Sequence, residues 1–394
     1  MTINQKYSKM KVQFIAACAI AALLSACSSS TQQLPDYCIT PEKFGSAQVD
    51  GKDLQLYTLV NKNGVAAQFT NLGAKVVSLY APDRDGKFSD IVLGYSTAAE
   101  YAEAATIPDA GIPEFGAVIG PYANRIAEGR FSLDDHEYFL DVNEGTNHLH
   151  GGKKGFKSSM WEAKKLGDNK IEFSIESPAG EMGYPSNMKA KVIYELNDSN
   201  ELVIDYDAET DIPTVINLTN HSFFNLAGEG AETINDHELQ IISDRITPVD
   251  DRLIPTGEFL PVEGTAFDFN KMHAIGDSLD SPHEQMQLGH GYDHNWVLTG
   301  EPDANGLRLA AKVHHKGTGR TLEVRTTEPG LQFYGGNFLK GDKGKDGKTY
   351  PHRSALCLET QHFPDSPNKT QFPSVELRPG QRYAHKCVYR LGVE

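Results

Sequence analysis

Apolar and polar side chains alternate with a period of two along several stretches of this 394-residue chain. Isoleucine and phenylalanine alternate with glutamate and serine over residues 171–175, and the same period recurs over 192–196, 202–208 and 322–325. This pattern is typical of antiparallel strands that bury one face. Helical periodicity is weak outside one short stretch, 97–105. The sequence therefore predicts an all-β fold, a large and mostly antiparallel β-sandwich.

The predicted strands belong to one domain. Turn-forming pairs such as Asn63-Gly64 separate the strands. No linker and no internal repeat divides residues 46–394, a length sufficient for a single large core. The segment 340–353, rich in Gly, Lys and Asp, is expected to form a mobile surface loop.

The N-terminus has the pattern of a targeting signal. Three lysines within the first 11 residues precede a short apolar stretch, 12–24, which is too short to span a membrane. The following Leu-Ser-Ala-Cys resembles the bacterial lipobox. We therefore predict a signal peptide over 1–26, lipidation at Cys27 and a tether to residue 45, with an ordinary signal peptide cleaved nearby as the alternative. Ser28 instead of Asp implies an anchor in the outer membrane, facing the periplasm.

Charge and cysteine content exclude several classes of protein. The net charge of −16 argues against a protein that binds nucleic acid through its phosphates. The chain has no CxxC pair or other Cys/His metal spacing, and we expect no metal and no cofactor. It has no GxSxG, HExxH or glycine-rich phosphate loop. Cys357 and Cys387 are expected to be buried strand residues and not disulfide partners.

Five segments concentrate polar side chains among apolar residues and glycines. They are GPYANRIAEGRF (120–131), NHLHGG (147–152), NLTNHSFFNL (217–226), GYDHNW (291–296) and CLETQHFPDSPN (357–368). Buried polar groups are costly unless they bond to each other or to a ligand. Five such segments in one chain favour a single pocket lined by donors and acceptors. His221 and Glu359, each next to an apolar strand, supply the groups for acid–base chemistry, although either alone is compatible with a satisfied core residue.

In this order the segments closely resemble the aldose 1-epimerase family. Supporting stretches are FTNLGAKVVSL (69–79), EPGLQFYGGNFL (328–339) and FPSVELRPGQRY (372–383). The resemblance covers about residues 46–392. It implies a β-sandwich with a sugar cleft across one sheet. It also implies interconversion of the α and β anomers of a free aldohexose, galactose or glucose, without a cofactor.

The same resemblance assigns roles to individual residues. The family's catalytic acid falls on His221 and its base on Glu359. Its sugar-binding positions fall on Asn124, Arg125, His150, Asp293 and Gln332. Reference pKa values of about 4.3 for Glu and 6.5 for His leave an unperturbed His only about a quarter protonated at neutral pH. A nearby carboxylate would raise that fraction, and Asp293 is a candidate for it.

Two other functions stay open at this point. One is a catalytically inactive sugar-binding protein of the same fold. The other is a glycoside-processing enzyme, for which Asp293 and Glu359 would be the paired carboxylates. Phosphorylated hexoses are disfavoured because the five polar segments contain no cluster of Arg or Lys. We expect a monomer whose partners are a small-molecule aldohexose and, through Cys27, the membrane.

Overall fold

A computed structural model describes residues 34–106 and 114–394 of the chain. The predicted signal peptide, Cys27 and the first part of the predicted tether lie outside the described residues. The α-helices are Pro41–Phe44, Ala98–Thr106 and Glu284–Leu288, and the middle one confirms the helix expected at 97–105. Among the described residues, no helix has both the length and the apolar character needed to cross a membrane.

Strands are the main regular secondary structure of the domain. In chain order they are β1 Gln48–Val49, β2 Lys52–Asp53, β3 Leu56–Val60, β4 Ala66–Thr70, β5 Lys75–Pro82, β6 Phe88–Asp90, β7 Ala117–Ile119, β8 Arg125–Ile126, β9 Arg130–Leu133, β10 His136–Phe139, β11 His148–Leu149, β12 Glu162–Lys165, β13 Lys170–Ser177, β14 Met188–Leu196, β15 Glu201–Thr210, β16 Thr214–Val215, β17 Thr219–His221, β18 Glu238–Ile241, β19 Ser243–Thr247, β20 Leu260–Pro261, β21 His273–Ala274, β22 Asp293–Leu298, β23 Arg308–His315, β24 Arg320–Thr326, β25 Gly330–Tyr334, β26 Asp342–Lys343, β27 Thr349–Tyr350, β28 Cys357–Gln361, β29 Glu376–Leu377 and β30 Tyr383–Val393. Turns of 3₁₀-helix include Phe156–Ser158 and Lys345–Gly347.

The largest sheet has nine strands in the order β12-β13-β14-β15-β30-β24-β23-β18-β21. Each neighbouring pair is antiparallel. Burial alternates strictly along β14, where Val192 and Tyr194 are buried and their neighbours on the other face are not. The alternation predicted over 171–175, 192–196, 202–208 and 322–325 is confirmed.

A five-stranded sheet, β20-β19-β22-β25-β28, forms the second large layer. Its strands are antiparallel as well. Side chains from both sheets belong to one buried apolar cluster, in which Trp296 and Phe333 accompany Val192 and Ile204. This shared core confirms the predicted sandwich, because each sheet buries one face against it.

Smaller sheets complete the layers. Strands β3-β4-β5-β6 form a four-stranded sheet, and β7 pairs with β17. Gly116 connects these two elements, because its N–H donates to the carbonyl of His221 and its carbonyl accepts from Val76 N–H. Gly116 has a φ of +66°, and a Cβ there would lie 2.0 Å from the Val76 carbonyl oxygen. Only glycine permits this close approach.

Two expectations need correction. Residues 35–45 belong to the folded domain and not to a tether, since Cys38, Ile39 and Phe44 are buried and Ile39 N–H donates to Gln68. The segment 340–353 lies at the surface as expected, but it is anchored at its centre, because Lys345 is 4% exposed and its ammonium donates to Asp90. The ion pair between Lys345 and Asp90 anchors a segment that composition alone predicted to be mobile.

The cysteines agree with expectation. Cys357 lies in β28 and Cys387 in β30, and both are buried with free thiols. Burial raises the pKa of Cys387 to about 12, so this thiol stays protonated and unreactive.

Candidate active site

His221 ends strand β17, where pairing with β7 fixes its backbone. Its side chain is buried and stacks on the ring of Phe223, with centroids 4.8 Å apart and planes 21° apart. The ring of His150 meets it edge-on at 5.2 Å. Aromatic contacts on two sides therefore set the orientation of the His221 imidazole.

Glu359 lies in the middle of β28 and is 1% exposed. It pairs across the strands with Gln332 of β25, which pairs in turn with Asn295 of β22. Alternation places Asp293, Asn295, Gln332 and Glu359 on one face of the sheet, while Leu358 on the opposite face joins the core. Because side chains alternate between the two faces of β28, Glu359 lies on the polar face while its neighbour Leu358 packs in the core.

The two proposed catalytic groups face each other. His221 Nε2 lies 3.6 Å from Glu359 Oε1. Burial lowers the pKa of His221 to about 4, although the carboxylate of Glu114 opposes this. Burial raises the pKa of Glu359 well above its usual range, with the Asp293 and Glu114 carboxylates acting in the same direction. These opposite directions bring the proton affinities of the two groups closer together than in water, so one group can act as an acid while the other acts as a base.

Arg125 organises the acidic side of the site. Its Nε and Nη2 donate to both carboxylate oxygens of Glu144, at 2.6 to 3.1 Å. Its Nη1 lies 3.9 Å from Asp293 Oδ2, and Gln332 Nε2 donates to Asp293 Oδ1 at 2.8 Å. The oxygen atoms Gln332 Oε1 and Glu359 Oε2 are buried and have no hydrogen-bond partner among the described residues. The orphaned Glu359 Oε2, which lines the cleft, marks a face built for a ligand with hydroxyl groups.

Asn124 and His150 are positioned by backbone geometry. Both have positive φ, 63° and 53°. Asn124 N–H donates to His150 Nδ1 at 3.2 Å, and His150 N–H donates to the Asn124 carbonyl. The next residue, Gly151, has a φ of +80°, and a Cβ there would lie 1.9 Å from the Gly120 carbonyl oxygen. Gly151 therefore allows a close contact between two parts of the chain, which a residue with a Cβ would prevent.

These groups line one cleft of about 370 Å³. The predicted residues that line it are Asn124, Arg125, His150, His221, Asp293 and Glu359. Gln332 is not at its surface and acts on it through Asp293. His148 is outside the cleft, where its ring bonds the Asp141 carbonyl and the Tyr184 hydroxyl. The five polar segments therefore converge, as the sequence predicted.

Sequence reasoning missed five charged residues of the cleft: Lys75, Glu114, Glu144, Lys153 and Lys157. Glu114 binds the Lys157 ammonium at 2.5 Å. Burial disfavours the charged form of Glu114, but Lys157, His150 and His221 outweigh burial and lower the pKa of Glu114 to about 2. Asp293 was one candidate for the carboxylate that acts on His221, but Glu114 has that role. No motif marks these residues, because single Lys and Glu residues are common on surfaces.

The donor set of the cleft suits hydroxyl groups better than a metal ion. His150, His221 and Glu359 each offer an atom within 4.8 Å of the others. However, His150 Nδ1 accepts a backbone N–H, so its Nε2 carries the hydrogen and has no free lone pair. His150 is therefore a hydrogen-bond donor toward the cleft. The residues do not fit a metal centre.

The same reasoning applies to a second group, Asp236, His237 and His315, outside the cleft. Leu226 N–H donates to His237 Nε2, and Thr318 N–H donates to His315 Nδ1. The remaining ring nitrogens then carry hydrogens, which point at the two oxygens of Asp236. This cluster is a carboxylate held by two imidazoles and not a set of metal ligands.

The fold and the cleft together define a class of protein. Its members are β-sandwiches in which a buried histidine and a buried glutamate lie close together, surrounded by polar groups that can bind hydroxyls. The sequence matches the family described as aldose 1-epimerase over residues 55–390. The chain belongs to the aldose 1-epimerase family.

Curated relatives and solved structures agree with this assignment. The chain is 44% identical to galactose mutarotase of Rattus norvegicus over 356 residues, 90% of this chain and 99% of that protein. It is 36% identical to aldose 1-epimerase of Escherichia coli K12 over 347 residues, 88% and 97% of the two chains. The crystal structure of an aldose epimerase homologue from C. elegans superposes with a TM-score of 0.78, at 30% identity and with 86% and 99% of the chains covered. Galactose 1-epimerase from Lactobacillus acidophilus gives a TM-score of 0.76, at 28% identity and 88% and 97% coverage.

Proposed function

We propose that this protein is an aldose 1-epimerase that interconverts the α and β anomers of free aldohexoses. The observation that carries the proposal is the pair His221 and Glu359, 3.6 Å apart in a cleft lined by hydroxyl-binding groups. Mutarotation needs one acid and one base in reach of the same hemiacetal, and no redox step. The pair supplies both, since their pKa values move in opposite directions.

The reaction is a reversible ring opening. Glu359 takes the proton of the anomeric hydroxyl as the bond between C1 and the ring oxygen breaks, and His221 gives a proton to that oxygen. Rotation about C1–C2 turns the aldehyde, and closure on its other face returns both protons. Burial favours the proton on Glu359 in the free site, whereas hydroxyls that donate to this carboxylate favour its ionised form and so move the proton to His221.

The remaining residues hold the sugar. Arg125 presents fixed donors whose direction is set by Glu144, and it has no proton to lose. His150 Nε2–H is a donor, and Asp293 is an acceptor that Gln332 orients. This mixture of donors and acceptors matches alcohol groups, which both donate and accept. Asn124 acts through its backbone, which fixes the His150 tautomer.

The decisive experiment follows optical rotation. Freshly dissolved α-D-galactose and α-D-glucose are each mixed with the purified chain from residue 28 onward, in a buffer that catalyses the reaction weakly. We expect faster approach to an unchanged final rotation, and loss of that acceleration in Glu359→Gln. A folded protein that accelerates neither sugar would contradict the proposal. Release of a reducing sugar from a glycoside would instead support a glycoside-processing enzyme.

We also propose that the protein is a lipid-anchored monomer of the bacterial cell envelope, held by Cys27 in the outer membrane and facing the periplasm. The three lysines, the apolar stretch and the Leu-Ser-Ala-Cys sequence support this proposal. Two acyl signals make membrane attachment stable, whereas a single chain gives marginal binding. We expect the full chain to fractionate with outer membranes, and Cys27→Ser to lose both the label from a fatty-acid analogue and that fractionation. Unlabelled wild-type chain would contradict the anchor.

A further inference from the structure

Three lysines line the cleft, and two of them have a carboxylate partner. Lys157 binds Glu114 at 2.5 Å, and Lys153 binds Asp141 at 3.3 Å. Lys75 has neither an ion pair nor a side-chain hydrogen bond among residues 34–106 and 114–394, although it is partly buried. Burial lowers the pKa of Lys75 to about 8, which leaves it mostly charged at neutral pH. A desolvated ammonium without a partner is costly, and an anionic ligand removes that cost.

The backbone fixes where this ammonium lies. Lys75 begins β5, and the following residue, Val76, is joined to His221 through Gly116 by two backbone hydrogen bonds. A Cβ at Gly73 would lie 3.1 Å from Lys75 Cε and 2.4 Å from the Lys157 carbonyl oxygen. The stem of Lys75 is therefore packed over Gly73. Its charge is close enough to contribute to the lowered pKa of His221.

Sugar chemistry connects this position to one end of the substrate. In the proposed reaction His221 protonates the ring oxygen, and that oxygen is bonded to C5, which carries C6. A substituent at C6 therefore lies on the His221 side of the cleft and away from the anomeric hydroxyl at Glu359. The backbone next to Lys75 is linked to His221 through Gly116, whereas Glu144 and Asp293 lie next to Arg125. The cleft volume of about 370 Å³ is within the usual range for ligand pockets of roughly 300–1,000 Å³.

We propose that Lys75 binds the C6 carboxylate of a hexuronic acid, and that the enzyme mutarotates these acidic aldoses as well as neutral hexoses. The inference rests on the proposed function of the same site. A single ammonium without an ion-pair partner among the described residues matches a single negative charge, whereas a dianionic phosphate would have one charge that Lys75 does not neutralise. The five polar segments, whose lack of an Arg or Lys cluster disfavoured phosphorylated hexoses, do not include Lys75.

The test compares D-galacturonate with D-galactose, and adds galactose 6-phosphate to separate carboxylate from phosphate recognition. Anomer exchange is measured by NMR, and the readout is the ratio of kcat/KM for each anionic sugar to kcat/KM for galactose. The ratio cancels changes in the acid–base step, including any effect of the Lys75 charge on His221. The variants are Lys75→Met, which keeps the length, Lys75→Arg, which keeps the charge, and Lys153→Met as the matched control.

We expect Lys75→Met to lower the galacturonate ratio by about tenfold or more, because it removes one charge-assisted contact. Lys75→Arg should restore most of the ratio, and Lys153→Met should change it by less than about threefold. An unchanged galacturonate ratio in Lys75→Met, with galactose still accelerated, overturns this inference and leaves the proposed function intact. A loss confined to the phosphate ratio overturns the carboxylate assignment. Failure of the wild type on both galactose and galacturonate overturns the function and the inference together.

Discussion

Glu359→Gln should make the protein inactive and more stable at the same time. The carboxyl is 1% exposed, Oε2 has no hydrogen-bond partner among the described residues, and its pKa is raised. A raised carboxyl pKa means that folding opposes ionisation. The cost to stability is therefore absent below the ordinary pKa of Glu, and grows as pH rises toward the folded value. A glutamine of the same shape removes the cost of charge.

The magnitudes follow from the burial of this group. Loss of a general base costs about 10²–10⁴ in rate. An unsatisfied buried polar atom costs about 1–3 kcal/mol, so replacement of a carboxyl whose ionisation folding opposes should gain on the order of 1–2 kcal/mol. With an unfolding entropy of about 2.1 cal/mol/K per residue, a domain of this size should gain about 1–3 °C in Tm at neutral pH.

A matched variant, Glu328→Gln, is expected to be less stable than wild type. Glu328 is also buried, but it pairs with His362 and with His385 Nδ1, the latter at 3.4 Å. Burial alone would raise its pKa, yet the two histidines outweigh this and lower it. Its stabilisation is thus present above the ordinary Glu range and disappears as pH falls through the folded value. We expect Glu328→Gln to lose about 1–3 kcal/mol at neutral pH.

Differential scanning calorimetry of wild type and both variants, at about pH 8 and again near the ordinary Glu pKa of about 4.3, checks these signs. The gain of Glu359→Gln should shrink at the lower pH. Polarimetry on the same samples gives the rates. A Glu359→Gln protein less stable than wild type at pH 8 would refute the idea that this carboxylate is held against its solvation preference. Retained activity in that variant would refute its role as base.

Three further outcomes are expected. The pH profile of kcat/KM should have its acid limb near pH 4, the lowered pKa of His221, because a second proton on the His221–Glu359 pair leaves neither group free to accept a proton. An acid limb near pH 6.5 would contradict this expectation. Arg125→Lys should raise KM about tenfold with a smaller change in kcat, since lysine cannot form the forked contact with Glu144; unchanged Michaelis kinetics would refute it. Gly151→Ala should destabilise by about 2–4 kcal/mol in urea unfolding, because its Cβ would meet the Gly120 carbonyl; wild-type stability would show that the turn can move.

Much of the fold and the centre of the site could be predicted from the sequence. Alternation with a period of two identified the strands of the large sheet, because those strands bury one face and expose the other. The five polar segments predicted the residues of the cleft, since buried polar groups require partners. The positions of His221 and Glu359 were predicted from family resemblance, and the structure brings them within 3.6 Å.

The remaining features depend on contacts between distant parts of the chain. Glu114 and Lys157 are ordinary surface residue types whose pairing is visible only when two turns meet. Lys345 lies in a composition typical of loops, yet it is buried against Asp90, 255 residues away in sequence. The pKa direction of His221 was also misjudged, because burial outweighs the nearby carboxylate. Local pattern carries no information on such long-range electrostatics.

The alternation of side chains in β22, β25 and β28 has a consequence for how this enzyme can be altered. One face of these strands carries Asp293, Gln332 and Glu359, and the other contributes Trp296 and Phe333 to the core. Substitutions on either face therefore risk both folding and chemistry. Lys75 and Lys157 enter the cleft from β5 and a 3₁₀ turn that lie outside this sheet. Directed evolution of new sugar preference should accumulate changes in those peripheral elements, while the three strands stay nearly invariant.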